Sequence, residues 1–120
     1  MRNVFVYGTL MSGQGNNWRM KDSRLVGKAV LKDYSLYDLG RYPGIVEKKG
    51  DRVKGELFQV PEELIAELND YEDEGTLYKL CNGNVELENG ESEIAGIYVY
   101  LQGVDGKRYV PFEEQPWKNK

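Results

Sequence analysis

One stretch of this chain spaces its apolar residues at helical intervals, and most of the remainder alternates with a period of two. After Pro61, the residues Leu64, Ile65, Leu68 and Tyr71 recur so as to form a single stripe on a helix. Pro61, Glu62 and Glu63 suit its first turn, where a proline sacrifices no hydrogen bond and carboxylates favour the positive end of the dipole. At about 100° per residue the stripe centres near Leu68, so Glu63, Glu67 and Asp70 fall on the solvent side. Glu72, four residues beyond Leu68, falls inside the stripe. Two readings of Glu72 stay open at this level: a carboxylate carried into an apolar setting, with its pKa raised by lost hydration, or a solvated residue on a frayed last turn.

Around this helix the sequence reads as sheet. Val4 to Tyr7 is a short buried strand ending at Gly8. Leu25–Leu31 and Tyr34–Tyr37 read as two strands parted by Lys32-Asp33, and Ile45–Lys48 and Val53–Val60 as a hairpin around Lys49-Gly50-Asp51. Leu77–Cys81, Val85–Leu87 and Ser92–Leu101 follow, with Asn89-Gly90 as a hairpin turn and both faces of the last strand covered. Asp105-Gly106 turns into Lys107–Val110, and residues 111–120 form a loosely packed polar tail pinned by Phe112 and Trp117. Asn16 or Asn17 caps a short helix through Trp18 and Met20. Many strands around one substantial helix predict an α+β fold, and 120 residues predict a single domain, 1–120.

Composition removes whole classes of chemistry. The chain has no histidine, which excludes Ser-His-Asp triads, Cys-His pairs and His-containing metal sites. Proton transfer near neutral pH then falls to a carboxylate, or to a Lys, Tyr or Cys of displaced pKa. Cys81 is the single cysteine, so it forms no internal disulfide and no paired-thiol metal site, and reads as a structural thiol. No metal and no cofactor is expected. A net charge of −4 argues against nucleic acid or an anionic membrane as partner. No apolar run suits a membrane span, and the opening strand is unlike an export leader, so the expected compartment is the cytoplasm.

Gly8, Gly13 and Gly15 punctuate the segment after the first strand, leaving room for a ligand to approach main-chain N–H groups. An ordinary turn is the alternative. The spacing matches neither a phosphate-cradling loop nor a dinucleotide fingerprint. A second loop, Arg41-Tyr42-Pro43-Gly44, has Tyr42 held extended by Pro43. Tyr7, Tyr37, Tyr42, Tyr78 and Tyr100 are candidates for pocket walls or hydroxyl donors, each with an alternative place in the core.

Val6-Tyr7-Gly8-Thr9-Leu10, with Gly13 and Asn16 behind it, resembles the signature loop of the γ-glutamylcyclotransferase-like family, which includes γ-glutamylamine cyclotransferases and the AIG2-like and YtfP-like branches. The resemblance continues through Leu36–Gly44, Val53–Leu57, Leu68-Asn69-Asp70-Tyr71-Glu72 and Tyr78-Lys79, covering nearly the whole chain. It implies a small mixed β-barrel with one main helix and short helices packed outside. It also implies a cofactor-independent reaction on a small γ-glutamyl compound, whose α-amine attacks its own γ-carbonyl to give 5-oxoproline and release an amine or amino acid. Carried over residue by residue, Glu72 is the acid/base, and Tyr7, Gly8, Thr9, Leu10, Asn16, Tyr42 and Tyr78 hold the substrate. Asn16 also reads as a helix cap.

The chain departs from the family pattern at three places. Asp73-Glu74-Gly75 replaces a Gly-Tyr-Pro-like turn, Lys79 stands where Arg is common, and Asn69 replaces an Asp. Extra carboxylates beside the base disfavour a further negative charge. The alternative function is a non-catalytic module that binds a small carboxylate in the same pocket. A third is a regulatory protein using the acidic surface of Glu62, Glu63, Glu67 and Asp70, which is more simply a solvated helix face.

Overall fold

The computed structural model describes residues 1–118. Its strands are β1 (Arg2–Val6), β2 (Arg24–Asp38), β3 (Pro43–Val60), β4 (Tyr78–Leu87), β5 (Ser92–Tyr100) and β6 (Arg108–Val110), and its main helix is α1 (Glu62–Glu72). Short 3-10 turns lie at Asn17–Met20 and Phe112–Glu114. The order β3-β1-β5-β4-β2 closes on itself through the β2–β3 pairing, and β6 adds to the far half of β2. The result is the expected closed mixed barrel of five strands with one main helix. The β1–β5 pair is parallel, centred on Val4 opposite Gly96, and the other named pairs are antiparallel. Among the described residues, no helix is long and apolar enough to cross a membrane.

Period-two alternation divides the apolar residues between two layers. Phe5 and Tyr7 of β1 point into the barrel with Leu31, Leu36, Ile45, Val53, Leu57, Val85 and Ile97. Val4 and Val6 point outward, where Phe58, Val60, Tyr78 and Tyr98 join them beneath α1. Leu64, Ile65 and Leu68, the core of the stripe, cover that outer layer. Burying each contributes about 1.5–3 kcal/mol, which offsets the low intrinsic stability of an isolated helix of 11 residues. Pro61 lies just before the helix, and its carbonyl accepts from the Leu64 N–H at 3.0 Å.

Three expected breaks in the sheet are not breaks. Lys32-Asp33 lies inside the continuous β2, and Lys49-Gly50-Asp51 inside the continuous β3, so the hairpin runs between β2 and β3 through residues 39–42. Lys32 pairs with Arg52 but Tyr34 pairs with Glu47, and the unequal lengths between them are absorbed as a bulge. Asp33 adopts a φ of 68° there, Gly50 a φ of 89°, and the Gly50 N–H donates to Asp33 Oδ1 at 2.9 Å. Asn82-Gly83-Asn84 likewise continues through β4, where Gly83 faces Leu31 and Ile97 across the barrel interior.

The C-terminal segment is held tightly rather than loosely. Trp117 is 2% exposed in the barrel core, as its predicted pinning role requires. Gln115 Oε1 accepts from the Lys54 N–H at 2.6 Å, and its amide nitrogen donates to the carbonyls of Val110 and Arg52. Phe112 lies under the cations of Arg52 and Lys54. The last part of the predicted tail, residues 119–120, lies outside the described residues.

Candidate active site

A cleft of about 200 Å³ opens where the end of β1 meets the end of α1, walled by Phe5 to Leu10, Tyr42, Pro43, Tyr71, Glu72, Leu77, Tyr78 and Tyr98. A larger groove of about 680 Å³ lies elsewhere, along Met11–Gln14, β2, β3 and Trp117, but contains neither Glu72 nor the Gly8–Leu10 amides.

The helix ends so as to aim one carboxylate into the cleft. Asp73 takes a left-handed conformation (φ 53°, ψ 53°), its N–H bonds Asp70 O at 3.2 Å, and the Glu74 N–H bonds Asn69 O at 2.9 Å. This is the Schellman pairing that terminates a helix and satisfies its last carbonyls. Glu72 is therefore the last helical residue, held on the stripe rather than frayed. Glu74, one of the two extra carboxylates, is turned away to accept from the Leu80 N–H at 3.0 Å, while Asp73 is exposed. Burial alone pushes Glu72 from the ordinary 4.5 up to about 7. The ion pairs of the described residues lie elsewhere, at Lys32–Glu86, Arg108–Asp38 and Arg108–Glu114.

The loop that follows β1 lines the same cleft. Its carbonyls are taken: Gly8 O by the Met11 N–H (3.1 Å), Thr9 O by the Asn16 N–H (3.0 Å) and Leu10 O by Asn17 Nδ2 (2.9 Å). Among the described residues, the N–H groups of Gly8, Thr9 and Leu10 have no acceptor. A loop that ties down its carbonyls and leaves successive amides free is suited to an anionic oxygen. Gly8 is required by proximity, because a Cβ there would lie 2.7 Å from Pro43 Cγ of the second loop.

The tyrosines are mostly committed to structure. Tyr7 Oη donates to Tyr98 O at 2.6 Å, and Tyr78 Oη to Pro43 O at 2.6 Å. Tyr98 Oη donates to Asn69 Oδ1 at 2.7 Å, which gives the departure from Asp at position 69 a defined partner. Burial, reinforced by neighbouring tyrosines and Glu72, holds Tyr7 and Tyr78 well above the usual phenol range. Burial and Glu72 raise Tyr98 as well, despite an opposing effect of Arg2. At neutral pH all three are neutral walls.

The structure thus brings Glu72, Tyr7, Gly8, Thr9, Leu10, Tyr42 and Tyr78 to one cleft. Asn16 does not line it. Its backbone N–H closes the loop, its side chain makes no helix-capping bond, and Asn17 holds the Leu10 carbonyl instead. Tyr37 stacks edge-on against Tyr109 at 5.7 Å and Tyr100 packs on Tyr78 at 5.4 Å, so neither is a wall. Tyr71 and Tyr98 are walls that site reasoning from sequence passed over. The signal for Tyr71 was its place on the stripe beside Glu72; for Tyr98 it was the shared face of β5. Among the described residues, no group of three His, Cys, Asp or Glu side chains gathers to hold a metal ion.

The family described as "Gamma-glutamyl cyclotransferase, AIG2-like" matches residues 4–119. The γ-glutamylcyclotransferase family protein YtfP of Escherichia coli K12 is 33% identical over 117 residues, spanning 98% of this chain and 96% of its own. The γ-L-glutamyl-butirosin B γ-glutamyl cyclotransferase of Niallia circulans is 36% identical over 109 residues, 83% of this chain and 67% of its own. Among solved structures, an AIG2-like protein from Mus musculus has a TM-score of 0.74 at 27% identity, covering 96% of this chain and 99% of that one. With a match to all but a few residues and a shared fold, the chain belongs to the AIG2-like γ-glutamyl cyclotransferases, a family of enzymes.

Proposed function

We propose that this protein cyclises a γ-glutamyl group to 5-oxoproline, releasing the amine or amino acid attached to it, with Glu72 as general base and then general acid. The observation that carries this reading is the half-buried carboxylate of Glu72, raised to about 7 by lost hydration, in a cleft also lined by Gly8, Thr9 and Leu10. The ionised Glu72 takes a proton from the substrate's α-ammonium. The freed nitrogen attacks the γ-carbonyl carbon, forming the ring C–N bond and an oxyanion. Glu72 gives this proton to the leaving nitrogen as the original γ C–N bond breaks, then takes the second proton from the ring nitrogen, which attack left cationic, and passes it to the departing amine; 5-oxoproline keeps one N–H, the amine leaves as an ammonium, and Glu72 is again ionised. The loop N–H groups receive the glutamyl α-carboxylate or the oxyanion.

A group of pKa near 7 suits both halves of this cycle, since it gains and loses a proton with little cost at neutral pH. Tyr7, Tyr78 and Tyr98 exclude water and restrict the glutamyl chain. Because attacking and attacked atoms belong to one molecule, correct folding of the substrate supplies on the order of 7–11 kcal/mol of the barrier reduction. The scheme uses no metal and no cofactor. Mass spectrometry of 5-oxoproline release across γ-glutamyl amines, amino acids and peptides tests it: turnover of at least one class is expected. Saturable binding of these compounds with no 5-oxoproline from any of them would instead identify a binding module.

A further inference from the structure

The proposed mechanism leaves one cleft-wall contact unexplained. Thr9 Oγ1 and Tyr71 Oη lie 2.5 Å apart, a hydrogen bond across 62 positions of sequence. One partner sits in the amide loop, and the other immediately precedes Glu72 on the last turn of α1. Among the described residues, this is the side-chain hydrogen bond that joins the two halves of the site directly. Other contacts hold both ends. Thr9 O and Leu10 O are fixed by Asn16 and Asn17, and the Arg19 guanidinium, two residues on, lies 4.3 Å from the centre of the Tyr71 ring and 4.5 Å from that of Trp18. Segment 16–19 therefore grips the carbonyl side of the loop and the outer face of the tyrosine together.

We propose that Tyr71 is a positioning residue, which through Thr9 sets the distance and angle between the Gly8–Leu10 amides and the Glu72 carboxylate. The inference rests on the catalytic reading above. Either hydroxyl can donate in this bond, and the one that accepts keeps its own proton as a further donor at the cleft wall. Burial outweighs the opposing effects of Thr9, Arg19 and Asn16 and keeps the Tyr71 phenol above its usual range, so it is protonated at neutral pH. Arg19 stacks the ring in place and restricts its swing. The clamp matters because small displacements of positioned groups cost rate steeply.

The test is a double-mutant cycle on 5-oxoproline release, with Tyr71→Phe, Thr9→Val, the double variant, Thr9→Ser and Glu72→Gln. Tyr71→Phe is expected to lower kcat/KM by roughly 3- to 10-fold, the scale of one neutral hydrogen bond, with the midpoint of the pH–rate profile near 7 retained. The double variant should lose little more than Thr9→Val alone, and Thr9→Ser should keep most of the parental rate. Multiplicative losses in the double variant, or a parental kcat/KM in Tyr71→Phe, would overturn the proposal. If Tyr71→Phe does not fold, the Thr9 pair decides: equal losses in Thr9→Ser and Thr9→Val overturn it, and loss confined to Val supports it. Undiminished release by Glu72→Gln would defeat the catalytic reading itself, a result distinct from any outcome at Tyr71.

Discussion

Replacing Glu72 by Gln should make the protein progressively more stable than the parent as pH rises. Burial moves the carboxyl from 4.5 in an ordinary setting to about 7 in the fold. Each decade of such displacement is worth about 1.4 kcal/mol, so the whole amounts to about 3 kcal/mol. The folded state binds the proton more tightly than the unfolded one, and ionised Glu72 therefore opposes folding. This penalty is absent below about pH 4.5, grows through the interval up to 7, and is complete above it. The Gln amide carries its own burial cost, but that cost does not titrate. Thermal or urea unfolding of both proteins from about pH 4 to pH 8 should show the stability difference moving by about 3 kcal/mol in favour of Glu72→Gln. For a chain of this size that corresponds to roughly 10 °C in Tm. A difference independent of pH would mean that Glu72 is hydrated, and a slope of opposite sign would mean that it is paired with a cation.

The same ionisation should appear in catalysis, with kcat/KM rising through a midpoint near pH 7 and the midpoint absent in Glu72→Gln. Gly8→Ala would place a Cβ 2.7 Å from Pro43 Cγ and force the two loops apart. It should cost about 1–3 kcal/mol in stability and lower kcat/KM by roughly 10- to 100-fold through displaced amides; parental kinetics would show that the loop packing is immaterial. Trp117→Ala should destabilise by about 3–5 kcal/mol, read by chemical unfolding, because the indole lies within the barrel core at 2% exposure. A neutral result there would mean that the C-terminal segment does not contribute to the barrel.

The helix and its odd carboxylate were legible because amphipathic periodicity is local. Leu64, Ile65 and Leu68 define the buried face without reference to any partner, and Glu72 follows by geometry. The strands were legible as extended segments but not as pairings. Lys32-Asp33 and Lys49-Gly50-Asp51 carry ordinary turn chemistry, and only their opposition across a long hairpin converts two turns into one bulge. The closed barrel was implied by family resemblance rather than by alternation, since alternation does not say which edge meets which. Tyr98 illustrates the limit: it reaches the cleft because β5 lies beside β1 in parallel, a contact between Val4 and Gly96 that no local signal announces. Asn16 makes no capping bond for a related reason. Its residue type suits capping or ligand contact, but the loop uses its main-chain N–H, which every residue except proline possesses.

The central claim is that Glu72 moves the proton in an intramolecular cyclisation, and the most direct measurement is the ratio of kcat/KM for 5-oxoproline formation between the parent and Glu72→Gln. Both proteins should be assayed at about pH 8, where the parent base is ionised, on the best substrate of the γ-glutamyl panel and with folding verified by melting. The account predicts a loss of at least about 10²- to 10⁴-fold in a variant that remains folded. Equal rates in the two proteins would contradict it, and would remove Glu72 as the catalyst.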